Sequence, residues 1–138
     1  MIFVDTGAWF ALAVQNDPDH EAAVAWLRQN RTPLITTDYI LAETVTLLRM
    51  RDKTLRGHRL AVRIATTIRR EEATILEKVT DEDIDNALRI FRTYRDHLFS
   101  FVDCTSFAAM ERLNVHRAFA FDRHFDEYPG IVRLPHSV

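Results

Sequence analysis

Residues 1–12 read MIFVDTGAWFAL, and the fold turns on how this stretch is divided. Ile2, Phe3 and Val4 form a short β-rich apolar run suited to a buried strand. Asp5 interrupts it, and the small, helix-compatible segment from Thr6 to Gln15 follows. A strand passing directly into a helix is half of a βα unit. The carboxylate at the junction has an ordinary explanation, because an Asp at a helix N-cap accepts an unpaired backbone N–H and contributes about 0.5–2 kcal/mol. A chemical role for Asp5 requires other acids directed at the same place.

The same alternation continues along the chain. Short runs rich in Ile, Val, Phe or Leu at 2–5, 33–36, 73–79, 117–121 and 131–134 are predicted strands. Helices are predicted at 6–15, from Asp17-Pro18 to residue 30, and at 38–51, 55–70, 80–95 and 103–113. Thr80 and Asp83 are spaced as a capping box, with Asp in place of Glu. The chain has three glycines, no Pro- or Ser-rich linker and no internal repeat. Strands alternating with helices predict an α/β fold: a three-layer α/β/α domain with a short, mostly parallel central sheet, occupying residues 1–138 as one unit.

Composition agrees with that reading. At 138 residues and 47% hydrophobic content, one domain can bury a substantial core. The formal net charge of -2 neither favours nor excludes a nucleic-acid partner, since an even total can hide a segregated surface. Cys104 is the sole cysteine, which excludes an intramolecular disulfide and a Cys-based zinc site, and it reads as a packing residue. No apolar run reaches the roughly 18 residues of a membrane span, and no basic leader precedes an apolar segment. The expectation is a soluble cytoplasmic protein with no membrane association.

Open parallel sheets bind ligands beyond the carboxyl ends of their strands. Asp5 lies there, as does Asp122, directly after the run RAFAF. Asp103 follows HLFSFV at the start of a predicted helix, whose exposed N–H groups favour an anion. Glu43 is the fourth candidate. On a helix advancing about 100° per residue, Ile40, Leu41, Val45, Leu47 and Leu48 span one apolar arc, and Glu43 falls about 40° beyond its Leu47 edge. That rim position suits a cleft-facing side chain and equally suits a surface glutamate. Carboxylates gathered together repel one another unless a cation is present. Oxygen donors without Cys or paired His suit Mg²⁺ or Mn²⁺, and such ions assist phosphodiester hydrolysis.

Four segments, VDTGAWFAL, TDYILAETVTLL, SFVDCTSFAAM and AFAFDRHFDEYPGIVRLP, appear in an order that resembles the PIN-domain ribonucleases, most closely the VapC-type toxins of prokaryotic toxin–antitoxin pairs. The similarity runs nearly end to end. It implies that Asp5, Glu43, Asp103 and Asp122 are the catalytic, metal-binding acids, and that Thr6 assists Asp5 through its hydroxyl. It further implies Mg²⁺-dependent endonucleolytic cleavage of RNA (tRNA or another structured RNA), with Mn²⁺ able to substitute. Homodimerisation and neutralisation by a cognate VapB-type antitoxin follow from the same resemblance. Many relatives carry Ser where this chain has Gly7, a departure that removes a hydroxyl but no expected metal ligand.

Neighbouring polar residues admit two readings. Asp126 can supply an outer contact to the acidic site or sit solvated in a turn. Ser106 can orient Asp103 or bond its own helix terminus. His124 can donate to a phosphate, but none of the six histidines has metal-ligand spacing, and it reads as a packing or surface residue. From Arg49 to Arg70 there are eight basic residues against the single acid Asp52. Arg56, Arg59 and Arg63 share one helical face, opposite a stripe of Leu60, Ala61, Ile64, Ala65 and Ile68. This basic face is a candidate RNA-binding surface, a docking site for an acidic antitoxin segment, or simply solvated.

Alternatives of other classes are a PIN-like RNA-processing nuclease that is not a toxin, and a non-catalytic RNA-binding module, which would be marked by loss of acids. A phosphoacceptor signalling domain needs an aspartate at a middle strand and a lysine near the last, an arrangement that ATILEKV does not offer. A haloacid-dehalogenase-like phosphatase needs a second aspartate where Gly7 stands.

Overall fold

Ile2–Val4 (β1) lies at the centre of a five-stranded, wholly parallel sheet in the computed structural model, which describes residues 1–136. Its neighbours are Leu34–Thr37 (β2) and Arg117–Phe119 (β4), with Ile75–Glu77 (β3) outside β2 and Val132–Leu134 (β5) outside β4, in the order β3-β2-β1-β4-β5. Phe3 aligns with Ile35 on one side and with Ala118 on the other. All three residues of β1 are buried, as a strand covered on both faces must be.

The helices are Thr6–Ala13 (α1), His20–Gln29 (α2), Asp38–Arg51 (α3), Leu55–Arg69 (α4), Asp81–Thr93 (α5), Phe101–Leu113 (α6) and the four-residue His124–Glu127 (α7). Helix α3 packs against α4, α5 against α6, and α1 against both α2 and α3. All five predicted strands and all six predicted helices are present, with ends displaced by a few residues. The helix expected to start at Asp17-Pro18 starts at His20 instead, because the Asp17 carboxylate accepts the Asp19 amide at 2.9 Å and closes a turn ahead of the helix. The α6 helix starts two residues before its predicted beginning, so Asp103 occupies its first turn and Ser100 is the cap. The short α7 was not predicted.

Three devices hold the ends of these elements in place. The Thr37 hydroxyl caps α3 by accepting Ile40 N at 3.2 Å, and Asp38 accepts Val79 N at 2.9 Å, tying the start of α3 to the exit of β3. Thr80 and Asp83 form the expected capping box of α5. The fully buried Asp83 is also held by Arg112 of α6, through contacts of 2.9 and 3.0 Å, and Arg112 reaches Glu77 of β3 at 3.1 Å. Burial works against ionisation of Asp83, but its bonds from Arg112 and Thr80 outweigh it and hold the carboxyl below its ordinary range.

The approach of α4 to the end of α3 depends on Gly57, where a Cβ would lie 1.9 Å from the Asp52 carbonyl oxygen. Replacing Gly57 by Ala gains about 0.8–1.0 kcal/mol of helix propensity. It also forces a backbone clash, and overpacking typically costs about 1–3 kcal/mol. Gly57→Ala is therefore expected to lower the thermal midpoint, measured by circular dichroism. An increase would show that α4 can slide along α3 without loss.

Candidate active site

Parallel topology brings distant residues to one edge of the sheet. Asp5 follows β1, Asp122 lies in the connection after β4, and Glu43 projects from α3, which starts where β2 ends. Strands β2, β1 and β4 are adjacent, so their exits are adjacent as well. Helix α6 leads back toward the start of β4, which places its N-terminal turn, with Asp103, at the same edge.

The Asp5 side chain makes no capping bond to α1, although its backbone is extended as an N-cap requires. The helix-cap reading of this carboxylate therefore fails, and its surroundings are those of an electrostatic cluster. Asp5 is 4% exposed and Asp103 is 7% exposed, whereas the Asp122 side chain retains 43%. Burial, followed by the charge of Asp103, pushes the Asp5 carboxyl up to about 8. The Thr6 amide works in the opposite direction, and Glu43 and Asp122 add further repulsion. Glu43 is also raised, first by burial and then by Asp103 and Asp122, while a hydrogen bond from Thr6 favours its charged form. Asp103 is raised by burial, with Asp122 contributing, despite opposing bonds from Ser100 and His124. The four candidate acids thus act on one another.

Local structure sets each side chain. Ser100 and Asp103 form a reciprocal capping box at 3.0 Å in both directions, so the Ser100 amide donates to Asp103 Oδ2. The Thr6 hydroxyl favours the charged form of Glu43 and accepts from Thr44 Oγ1 at 3.3 Å, linking α1 to α3. Thr6 meets the acids at two points, its hydroxyl favouring charged Glu43 and its amide favouring charged Asp5. Gly7 packs beside Asp5, where a Cβ would make ordinary contact with Asp5 Oδ2 at 3.9 Å and with Phe121 at 4.0 Å.

His124, read from the sequence as a packing or surface residue or a phosphate donor, meets the acids directly. Its Nδ1 lies 2.8 Å from Asp103 Oδ2 and 3.4 Å from Asp122 Oδ1, and its backbone amide donates to Asp122 Oδ1 at 2.9 Å. Histidine spacing along the chain carried no such signal; the only local hint was its place two residues after Asp122. Burial lowers the affinity of His124 for a proton, but Asp103 and Asp122 together raise it above its ordinary value.

Other expected participants lie elsewhere or have different surroundings. Asp126 is on α7 and pairs with Arg133 of β5 at 2.9 Å, so its carboxylate is engaged across that connection rather than behind the acids. Ser106, one turn beyond Asp103, is fully buried and its hydroxyl has no hydrogen-bond partner among the described residues. The simpler expectation, that it satisfies its own helix terminus, does not hold. Arg56, Arg59 and Arg63 are exposed on α4 as expected. They line a groove of about 850 Å³ with Phe10, Arg51 and Lys53, and none of the four acids lines it. The groove is lined by Phe10, Ala13 and Val14 toward the C-terminal end of α1, whereas Asp5 precedes its N-terminus.

The donor set fits a hard divalent cation: four carboxylates gathered at one edge and an unpartnered buried hydroxyl close by in the chain. Asp5, Asp103, Asp122 and Glu43 are the residues that would hold it. Without a cation the cluster opposes folding, and the sign follows from Asp5. Its folded pKa of about 8 lies above the unfolded value of about 3.9, so between them the folded state binds the extra proton. Stability of the chelated protein is expected to fall as pH rises from about 4 to about 8, by at most about 1.4 kcal/mol per pH unit for one proton. Asp5→Asn should flatten this slope in urea unfolding series, and an unchanged slope would remove Asp5 as its source.

A profile of the PIN domain matches residues 2–131. The chain is 37% identical over 125 residues to the 23S rRNA-specific endonuclease VapC20 of Mycobacterium tuberculosis, in both strain CDC 1551 and strain H37Rv, covering 91% of this chain and 92% of the relative. The crystal structure of M. tuberculosis VapC20, described as a sarcin-ricin loop cleaving toxin, matches with a TM-score of 0.87 and 34% identity, over 95% of this chain and 97% of that one. With the parallel sheet and the acidic edge already established, these matches are sufficient to conclude that the chain belongs to the PIN domain family, among its VapC-type members.

Proposed function

We propose that this protein is an endoribonuclease toxin that hydrolyses phosphodiester bonds of a structured RNA with the help of Mg²⁺, or Mn²⁺ in its place. The observation that carries this reading is the convergence of Asp5, Glu43, Asp103 and Asp122 at one edge of the parallel sheet, where burial and neighbouring carboxylates push the Asp5, Glu43 and Asp103 carboxyls up. That clustering is a cost to the fold that a bound cation would relieve. When bound, a divalent ion supplies a Lewis acid that activates water and neutralises charge on the phosphate.

The chain's own residues prepare that chemistry. Asp103 is held by the Ser100 amide and by His124, both on Oδ2, which leaves Oδ1 without a protein hydrogen bond among the described residues. The Thr6 hydroxyl favours the ionised form of Glu43. Asp122 is the most open of the three aspartates and stands at the solvent side of the cluster. Low local dielectric around Asp5 and Asp103 strengthens every interaction with charge that develops there.

The likeness to VapC20 supports ribosomal RNA over transfer RNA as the substrate class. The basic groove under Arg56, Arg59 and Arg63 supports a backbone contact that offsets the repulsion between RNA and the acidic cluster. In the toxin reading the protein works in the cytoplasm as a single PIN-like unit, and a VapB-type antitoxin neutralises it. Homodimerisation is supported by a separate apolar groove of about 630 Å³ beside Glu43, lined by Tyr39, Leu47, Met50 and Val102. No helix among the described residues is long and apolar enough to cross a membrane. Retention of all four acids disfavours a non-catalytic RNA-binding role.

Purified, antitoxin-free protein and a panel of structured RNAs test the chemistry. Asp5→Asn and Asp103→Asn are expected to reduce cleavage about 100-fold or more with the fold retained. Glu43→Gln and Asp122→Asn should be milder, and chelation should abolish activity until Mg²⁺ or Mn²⁺ is restored. Metal-independent cleavage would sink the proposal.

The basic groove is tested separately. Changing Arg56, Arg59 and Arg63 together to Gln should weaken RNA binding across sequences and reduce the log–log salt slope by about 2–3, at roughly 0.7–0.9 per phosphate contact. A slope identical to wild type would make this face merely solvated.

A further inference from the structure

We propose that His124 Nδ1 is a direct ligand of the same divalent ion as Asp103 and Asp122, and that this nitrogen makes the site prefer a first-row transition ion over Mg²⁺. The inference rests on reading the acidic cluster as a metal centre, and it adds a donor of a different chemical kind to it.

The geometry is that of donors around one ion. One atom each from Asp103, Asp122 and His124 lies within 4.8 Å of the other two. Ligands held at about 2.1 Å on neighbouring octahedral vertices stand about 3.0 Å apart. The observed separations from Nδ1, 2.8 Å to Asp103 Oδ2 and 3.4 Å to Asp122 Oδ1, bracket that value.

The ring does not owe this position to the Asp103 contact alone. Asp122 Oδ1 accepts the His124 amide at 2.9 Å, which sets the backbone at the start of α7. Phe99 meets the imidazole edge-on at 5.4 Å, and Phe99 itself packs on Phe107 at 5.1 Å within a buried aromatic cluster. Packing therefore aims Nδ1 at the carboxylates, while the side chain stays 25% exposed. In the ligating state the proton resides on Nε2 and the Nδ1 lone pair faces the ion, as a neutral imidazole requires.

Chemistry then determines selectivity. Mg²⁺ favours oxygen donors and retains its waters, whereas imidazole binds the later divalent ions increasingly well from Mn²⁺ onward. A mixed Asp, Asp and His set therefore discriminates in a way that a purely carboxylate set does not.

The test uses the full chain stripped of metal, with Mn²⁺ and Mg²⁺ as probes. Electron spin echo envelope modulation of the Mn²⁺-loaded wild type, with ¹⁵N-labelled histidine as control, is expected to show a directly coordinated imidazole nitrogen. His124→Asn should abolish it. Calorimetric titration should show Mn²⁺ affinity falling about tenfold or more in His124→Asn and in His124→Gln, with Mg²⁺ affinity changing much less. An all-oxygen Mn²⁺ signal in the wild type would overturn the proposal and leave His124 as a hydrogen-bonding neighbour of Asp103, with the acidic metal centre intact. Failure of the wild type to bind either ion would overturn both readings together.

Discussion

Four carboxylates must be held within one another's fields, and that constraint organises much of the molecule. Left to itself, the cluster would spread into solvent, where each acid would ionise freely. The sheet prevents this because Asp5 is joined directly to β1, the innermost strand, and cannot withdraw without pulling β1 from between β2 and β4. Burial of Ile2, Phe3 and Val4 anchors that strand. The hydrophobic effect is thus applied where electrostatic repulsion is greatest.

The remaining acids are positioned by polar bonds at helix ends. Asp103 shows the coupling most clearly: its carboxylate closes the capping box that starts α6 and also meets His124. Truncating this side chain would disturb a helix terminus and an electrostatic site together, whereas Asn keeps an acceptor oxygen for the cap. Glu43 depends on a longer chain of support, from Val79 through Asp38 and Thr37 to the orientation of α3. Arg112 and Asp83 play a comparable part elsewhere, where an ion pair with a fully buried carboxylate joins α5, α6 and β3. Removing one partner would leave an uncompensated buried charge, the costly way to break such a pair.

Separation of the basic groove from the acidic cluster has a functional logic within the proposed mechanism. Arginines placed among the acids would neutralise them internally and compete with a cation. Set at the other end of α1, they can attract a polyanion without relieving the strain that favours metal binding. Arg51, stacked over Phe10 at 5.4 Å, fixes one wall of this groove by a cation–π contact.

Much of this was legible in the sequence because its causes are local. Apolar runs of four to seven residues define the strands, the Thr80–Asp83 spacing specifies a capping box, and three acids fall at element junctions by position alone. The boundary errors had local causes as well: Asp17 and Ser100 each compete for backbone amides within three residues, and either choice satisfies the same propensities. Tertiary structure alone decided which polar groups meet. Glu43 at a helix rim could have faced solvent until α3 was docked on α1 through Thr44 and Thr6. His124 joined Asp103 across twenty-one positions, and Asp126 turned to Arg133 instead of to the acids. Periodicity and capping report on hydrogen bonds within a few residues. The direction in which a side chain finally points depends on packing between segments distant in the chain, and no pattern within one segment encodes that.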